Sequence, residues 1–96
     1  MAKKKPPTKA ERYHMGKVAA LGCIACQKIG YFDTPAEIHH IRATVGAGQR
    51  ASHYDVIPLC PEHHRHGNNA VHRSIVAFTE QFGSEIDLLN EVKGMI

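Results

Sequence analysis

Leu21-Gly22-Cys23-Ile24-Ala25-Cys26 and Pro58-Leu59-Cys60-Pro61-Glu62-His63-His64 are the stretches on which the fold turns. Each sets two metal-ligating residues two positions apart: Cys23 with Cys26, and Cys60 with His63. Zinc takes four nitrogen or sulfur ligands in a tetrahedron, and a pair so spaced in a tight turn supplies two of them. Residues 27–59 separate the pairs. That insert is longer than in a finger of the C2H2 type, so it must hold structure of its own. The competing reading makes Cys60 a buried thiol and Cys23–Cys26 a redox pair. A redox pair usually sits at the start of a helix after a strand, whereas this one follows a helix-like segment ended by Gly22. A structural Zn2+ on Cys23, Cys26, Cys60 and His63 is the expectation, its binding energy part of the folding energy.

Composition agrees with a staple. The chain has 96 residues, enough for one domain. Its hydrophobic content is 43 %, but with three Phe, three Tyr and no Trp the core is thin. Small domains with thin cores need disulfides or a metal. Three cysteines is an odd number, which favours a metal in a reducing cytoplasm. No apolar run approaches ~18 residues, so no membrane span is expected. The charged Met1–Lys5 leads into no apolar segment, which argues against a secretory signal. The net charge is +3 and unevenly spread. Lys3, Lys4, Lys5, Lys9, Arg12 and Lys17 crowd the first twenty positions, and Glu80, Glu85, Asp87 and Glu91 the last part. A basic tail suits phosphate contacts; a solubilising tail is the alternative for Lys3–Lys5. The expected organisation is a disordered basic tail over 1–7 and one zinc-binding domain over 8–96.

Between these landmarks, Thr8-x-x-Glu11 reads as a capping box opening a helix from Lys9 to Leu21. Ala10, Tyr13 or His14, Val18 and Leu21 give it an apolar stripe, and Gly22 ends it. Ala36–Ile41 and Asp55–Ile57 read as two strands of a hairpin, the second stopped by Pro58. A glycine loop over Thr44–Ser52 joins them. A short helix should carry His63 and His64. Val71, Ile75, Phe78 and Phe82 fall at helical spacing, Gly83 ends that helix, and Ser84 opens a last one bearing Ile86, Leu89 and Val92. The fold class is α+β, wrapped around a metal.

Eight histidines are present, seven of them between positions 39 and 72. Packing does not explain that clustering. His39 and His40 are adjacent on a strand and so point to opposite faces. One can bind a metal while the other faces substrate only if the strand twisted or ended there. His64 follows a zinc ligand directly and is held beside the hairpin. A second metal site at the hairpin–helix junction follows.

Cys-x2-Cys, His39-His40-Ile41 and Pro58-Leu59-Cys60-x2-His63-His64 together resemble the HNH nucleases with a zinc-stapled ββα-metal core. More narrowly, Leu21–Cys26, Pro35–Arg42, Gly46–Ser52 and Val56–Arg65 resemble the phage recombination-enhancement (Ref) nuclease family. The likeness runs from Thr8 to Leu89. It implies that His40 is the general base, that His39 and His64 are ligands of an active-site metal, and that His72 is a candidate third ligand. A helix-surface role is the alternative for His72, and His53 is open in the same way; His66 reads as a surface residue. The family's central Asn is replaced here by Asp55, an implied catalytic position at which this chain departs. A carboxylate beside His40 would favour its protonated form and weaken a base.

The implied reaction is hydrolysis of DNA by a His-activated water on a metal-bound phosphate, leaving 5′-phosphate ends. Imidazole ligands favour Zn2+, Mn2+, Co2+ or Ni2+ as the catalytic ion, with Mg2+ less natural because it prefers oxygen. Lys3, Lys4, Lys5, Arg42, Arg50 and Arg65 are candidate DNA contacts, and Arg73 lies near the same motif. The resemblance also implies the RecA filament as partner, although the basic arm ahead of Thr8 is short. A non-catalytic zinc module binding nucleic acid accounts for the knuckles and the tail but not for His39, His40 and His64. A nuclease-like toxin finds no secretion or immunity signature in the chain.

Overall fold

The computed structural model describes residues 6–43 and 51–96. Lys3–Lys5, Arg50 and most of the glycine loop lie outside the described residues.

Helix α1 (Lys9–Ala20) starts where the capping box requires. Thr8 Oγ1 accepts from the Glu11 N–H at 3.1 Å, and Glu11 Oε1 accepts from the Thr8 N–H at 2.7 Å. Val18 is its buried residue, flanked by the partly buried Met15 and Leu21; Ala10 and Tyr13 face outward, which narrows the expected stripe. Gly22 ends the helix at φ +79°, with the carbonyls of Phe32 and Thr34 3.2 Å from where a Cβ would stand. Only glycine meets both conditions without strain.

The first cysteine pair is a short helix rather than a simple turn. In α2 (Ile24–Lys28) Cys23 is the N-cap, its Sγ accepting from the Cys26 N–H at 3.3 Å. A loop over residues 29–36 then leads to β1 (Glu37–His40). It pairs antiparallel with β2 (Val56–Leu59), with Glu37 opposite Leu59, Ile38 opposite Pro58, His39 opposite Ile57 and His40 opposite Val56. Pro58 therefore lies within the strand instead of stopping it. A two-stranded sheet leaves one edge of each strand unpaired, and there a missing N–H breaks no ladder bond. All four β2 residues are buried, because α1, α2 and the last helix all pack on this strand.

A π-helical segment, Glu62–His66, follows Cys60. The next helix begins later than the apolar spacing suggests. Residues 67–73 form turns, and α3 (Ile75–Phe82) starts only after Ser74, whose Oγ caps the Ala77 N–H at 3.2 Å. Val71 is buried from a turn, Phe78 and Phe82 from the helix, and Ile75 is 46 % exposed. Gly83, at φ +108°, and the Ser84 cap on the Asp87 N–H at 3.0 Å separate α3 from α4 (Glu85–Met95). Helix α4 buries Leu88, Leu89 and Val92, and also Glu85. The core joins Val18, Ile24, Ile41, Val56, Ile57, Leu59, Phe78, Leu88 and Val92. The architecture is a small α+β arrangement of one two-stranded sheet and helices. No helix among the described residues is long and apolar enough to cross a membrane.

Candidate metal centres

Cys23, Cys26, Cys60 and His63 converge as one buried group. The α2 cap, the helix itself, the end of β2 and the π-helical segment each deliver one ligand atom. Cys26 Sγ and Cys60 Sγ are 3.7 Å apart. His63 Nδ1 lies 3.3 Å from Cys60 Sγ, 3.5 Å from Cys26 Sγ and 3.7 Å from Cys23 Sγ. A tetrahedral zinc site with ordinary bond lengths has S···S edges of about 3.8 Å and S···N edges of about 3.5 Å. The four atoms thus stand at the spacing such an ion needs. Burial pushes the Cys23 thiol up to about 12, so it becomes a thiolate only beside a cation. Burial also lowers His63, which keeps its ring neutral and able to ligate. The group could hold a metal such as zinc.

A second group, His39, His64 and His72, gathers where the sheet meets the π-helical segment. His72 reaches it through the backbone: the Val71 N–H donates to the His63 carbonyl at 2.8 Å and the His72 N–H to that of His64 at 3.1 Å. Residues 71–72 are thereby laid alongside the segment that carries His64. His64 Nε2 is 3.3 Å from His39 Nδ1 and 3.0 Å from His72 Nε2.

The proton positions follow from two carboxylates. His39 Nε2 donates to Glu85 Oε2 at 2.5 Å, and His64 Nδ1 donates to Glu37 Oε1 at 2.8 Å. A carboxylate only accepts, so in the neutral tautomers His39 Nδ1 and His64 Nε2 carry lone pairs. Two lone pairs facing each other at 3.3 Å could share a cation, and the spacing suits neighbouring ligands of one ion. His72 lies at the surface, and partial desolvation, then the neighbouring His39, His64 and Arg42, hold it below its ordinary value, which favours its ligating form. Beside this group is a cavity of about 350 Å³ lined by His39, His72, Glu85, Arg42, Arg73 and apolar Val71 and Ile75.

The other expected site residues are dispersed. His40 ends β1, half-buried, with its Nε2 2.9 Å from His53 Nδ1. It turns away from the group that His39 joins, as strand alternation requires. The Asp55 carboxylate meets Lys93 Nζ at 3.4 Å. Arg65 is paired with Glu37 through two bonds of 3.1 and 2.6 Å, so its guanidinium is engaged within the protein. That pairing, with His64 as a second donor, lowers the Glu37 carboxyl to about 2. His66 is exposed, as expected.

Glu85 and Glu37 are the site residues that sequence reasoning missed. Glu37 left a signal: it lies two positions before His39 and so on the same strand face. Glu85 reads in sequence as an ordinary acidic residue in a helix's first turn.

Fold and site define a small α+β protein with two groups of side chains able to hold metal ions, the second beside a cavity lined with arginine. The chain belongs to the recombination enhancement, RecA-dependent nuclease family, whose family model matches residues 7–96. Its class is therefore that of a nuclease, an enzyme. No curated protein matches the chain at a significant level.

Proposed function

We propose that the chain is a metal-dependent DNA endonuclease of the HNH type. In this reading Cys23, Cys26, Cys60 and His63 hold a structural zinc, and His39, His64 and His72 hold a catalytic divalent ion. The observation that carries it is the second group: ring nitrogens at 3.0 and 3.3 Å, two of them with their protons committed to carboxylates. A protein that only binds nucleic acid has no need of it. The bound ion would act as a Lewis acid on the phosphate and the leaving oxygen.

His40 serves as the base. An imidazole suits proton abstraction from water at neutral pH. His40 is the last residue of β1 and stands on the opposite face from His39, so in this reading the substrate reaches both from the strand end. His53, within hydrogen-bond distance, orients the ring. Arg42 and Arg73 line the cavity and offer cations to phosphates beside the scissile one. Lys3–Lys5 and Arg50 extend this reading as backbone contacts. Asp55, salt-bridged to Lys93, supports the strand end that presents His40: its carbonyl accepts from the Ile41 N–H at 3.2 Å. DNA is the substrate, and the RecA filament the partner that the family description suggests. Such an enzyme works in the cytoplasm of a bacterial host, encoded by a phage or prophage.

The test is cleavage of plasmid and single-stranded DNA, with and without RecA, across Mg2+, Mn2+, Co2+, Ni2+ and Zn2+. His40→Ala is expected to keep its zinc and fold and to lose cutting by at least about 100-fold, the lower range for a general base. Equal cutting by both proteins removes His40 as the base. No cutting by wild type under any condition favours the binding module.

A further inference from the structure

Glu85 is the only buried carboxylate among the described residues. A buried charge is costly unless it is fully partnered, and Glu85 is. Its Oε2 takes the proton-bearing Nε2 of His39 at 2.5 Å, and the Arg42 N–H reaches Oε1 at 3.2 Å and Oε2 at 3.3 Å. Its place as first residue of α4, directly after the Ser84 cap, adds the favourable end of the helix dipole. Burial alone would raise this carboxyl, but the bonds from His39, Arg42 and Ala43 outweigh it and leave it below the usual value. A side chain whose sole task was to tie α4 to the sheet could be apolar. This one grips the far nitrogen of a ring whose near nitrogen faces His64.

We propose that Glu85 is a positioning residue for the catalytic metal: it locks His39 in the tautomer with a free Nδ1 and fixes the direction of that lone pair. The inference rests on the reading of His39, His64 and His72 as a metal site. Carboxylates behind ligating histidines orient the ring and raise its basicity. Glu37 does the same for His64, but it shares its charge with the half-exposed Arg65. Glu85 spends its charge on His39 and two backbone donors, so its loss should be felt more.

The experiment uses the full chain with its first site filled by zinc and Co2+ alone as the probe, followed by calorimetry and visible absorption. Wild type is expected to bind a further Co2+, and Glu85→Gln to bind it about 10- to 100-fold more weakly with zinc content unchanged. Glu85→Asp, which keeps the charge at a shorter reach, is expected to fall between them. Nitrogen-15 spectra of wild type before Co2+ addition read the His39 tautomer without any mutation; the proton is expected on Nε2. A proton on Nδ1, or equal Co2+ affinity in wild type and Glu85→Gln, overturns the role of Glu85. If wild type takes no further Co2+, the metal-site reading fails and the proposal fails with it. Co2+ binding that is lost in His39→Ala but unmoved by Glu85→Gln sinks the proposal and spares the site.

Discussion

Gly67 closes the π-helical segment that carries His63 and His64, and there is no space for a side chain there. A Cβ would stand 2.8 Å from the Glu62 carbonyl oxygen and from Glu62 Oε1. The carbonyl cannot swing away, because the Gly67 N–H donates to it at 2.8 Å. Gly67→Ala is expected to destabilise the protein by about 1–3 kcal/mol, the range for local strain and lost packing. Denaturant melts of the zinc-loaded chain measure it; an unchanged midpoint would mean the segment relaxes freely. Cys60→Ser tests the first metal group at the same scale. It leaves three ligands around a buried ion, so zinc content should fall below one per chain and the thermal transition should broaden or vanish. Full zinc retention would remove Cys60 as a ligand.

At the scale of elements, the two groups able to hold metal are served by different ends of short pieces. The α2 cap and the end of β2 meet at the Cys3His group, while β1 and residues 71–72 bring the three histidines together. Helix α4 acts on the second group from its first turn, and the Ser84 cap holds that turn. Ser84→Ala is expected to cost about 1 kcal/mol in stability. It should also loosen Glu85, and so weaken Co2+ binding in the same direction as Glu85→Gln but by less. Loss of stability with unaltered Co2+ affinity would show that α4 docks independently of its cap. The apolar spacing of Val71, Ile75, Phe78 and Phe82 suggested one helix, whereas α3 begins after Ser74. Spacing alone cannot distinguish a residue buried from a helix from one buried from a turn. Val71 is the second kind, and its turn delivers His72.

For the molecule as a whole, a thin core and two histidines held below their ordinary value make stability depend on pH. His63 and His72 are both held below the ordinary value of 6.5, in each case first by desolvation. A depressed group contributes stability that is complete above its unfolded value and is lost as pH falls through its folded one. Protonation of these rings also competes with metal, which acts in the same direction. The thermal midpoint is therefore expected to be lower at pH 5.5 than at pH 7.5, with a smaller drop after chelation. A flat profile would mean that neither ring is tied to folding.

The Cys23–Cys26 and Cys60–His63 spacings, the capping box at Thr8 and the glycine stops were legible in the chain, because each depends on neighbours within four positions. The same locality made the pairing of His39 with His64 an inference from strand and knuckle. His72 and Glu85 were of another kind. His72 enters its group through backbone bonds to the π-helical segment, and Glu85 reaches His39 across 46 positions because α4 packs on β2. Arg65 looked available for phosphate and is spent on Glu37. Sequence by itself determined which residues can ligate and where α1 and α4 begin, since spacing and capping are local. Only the tertiary structure decided which ring nitrogen faces which and which charge is already paired, because those depend on contacts between distant segments that no local pattern encodes.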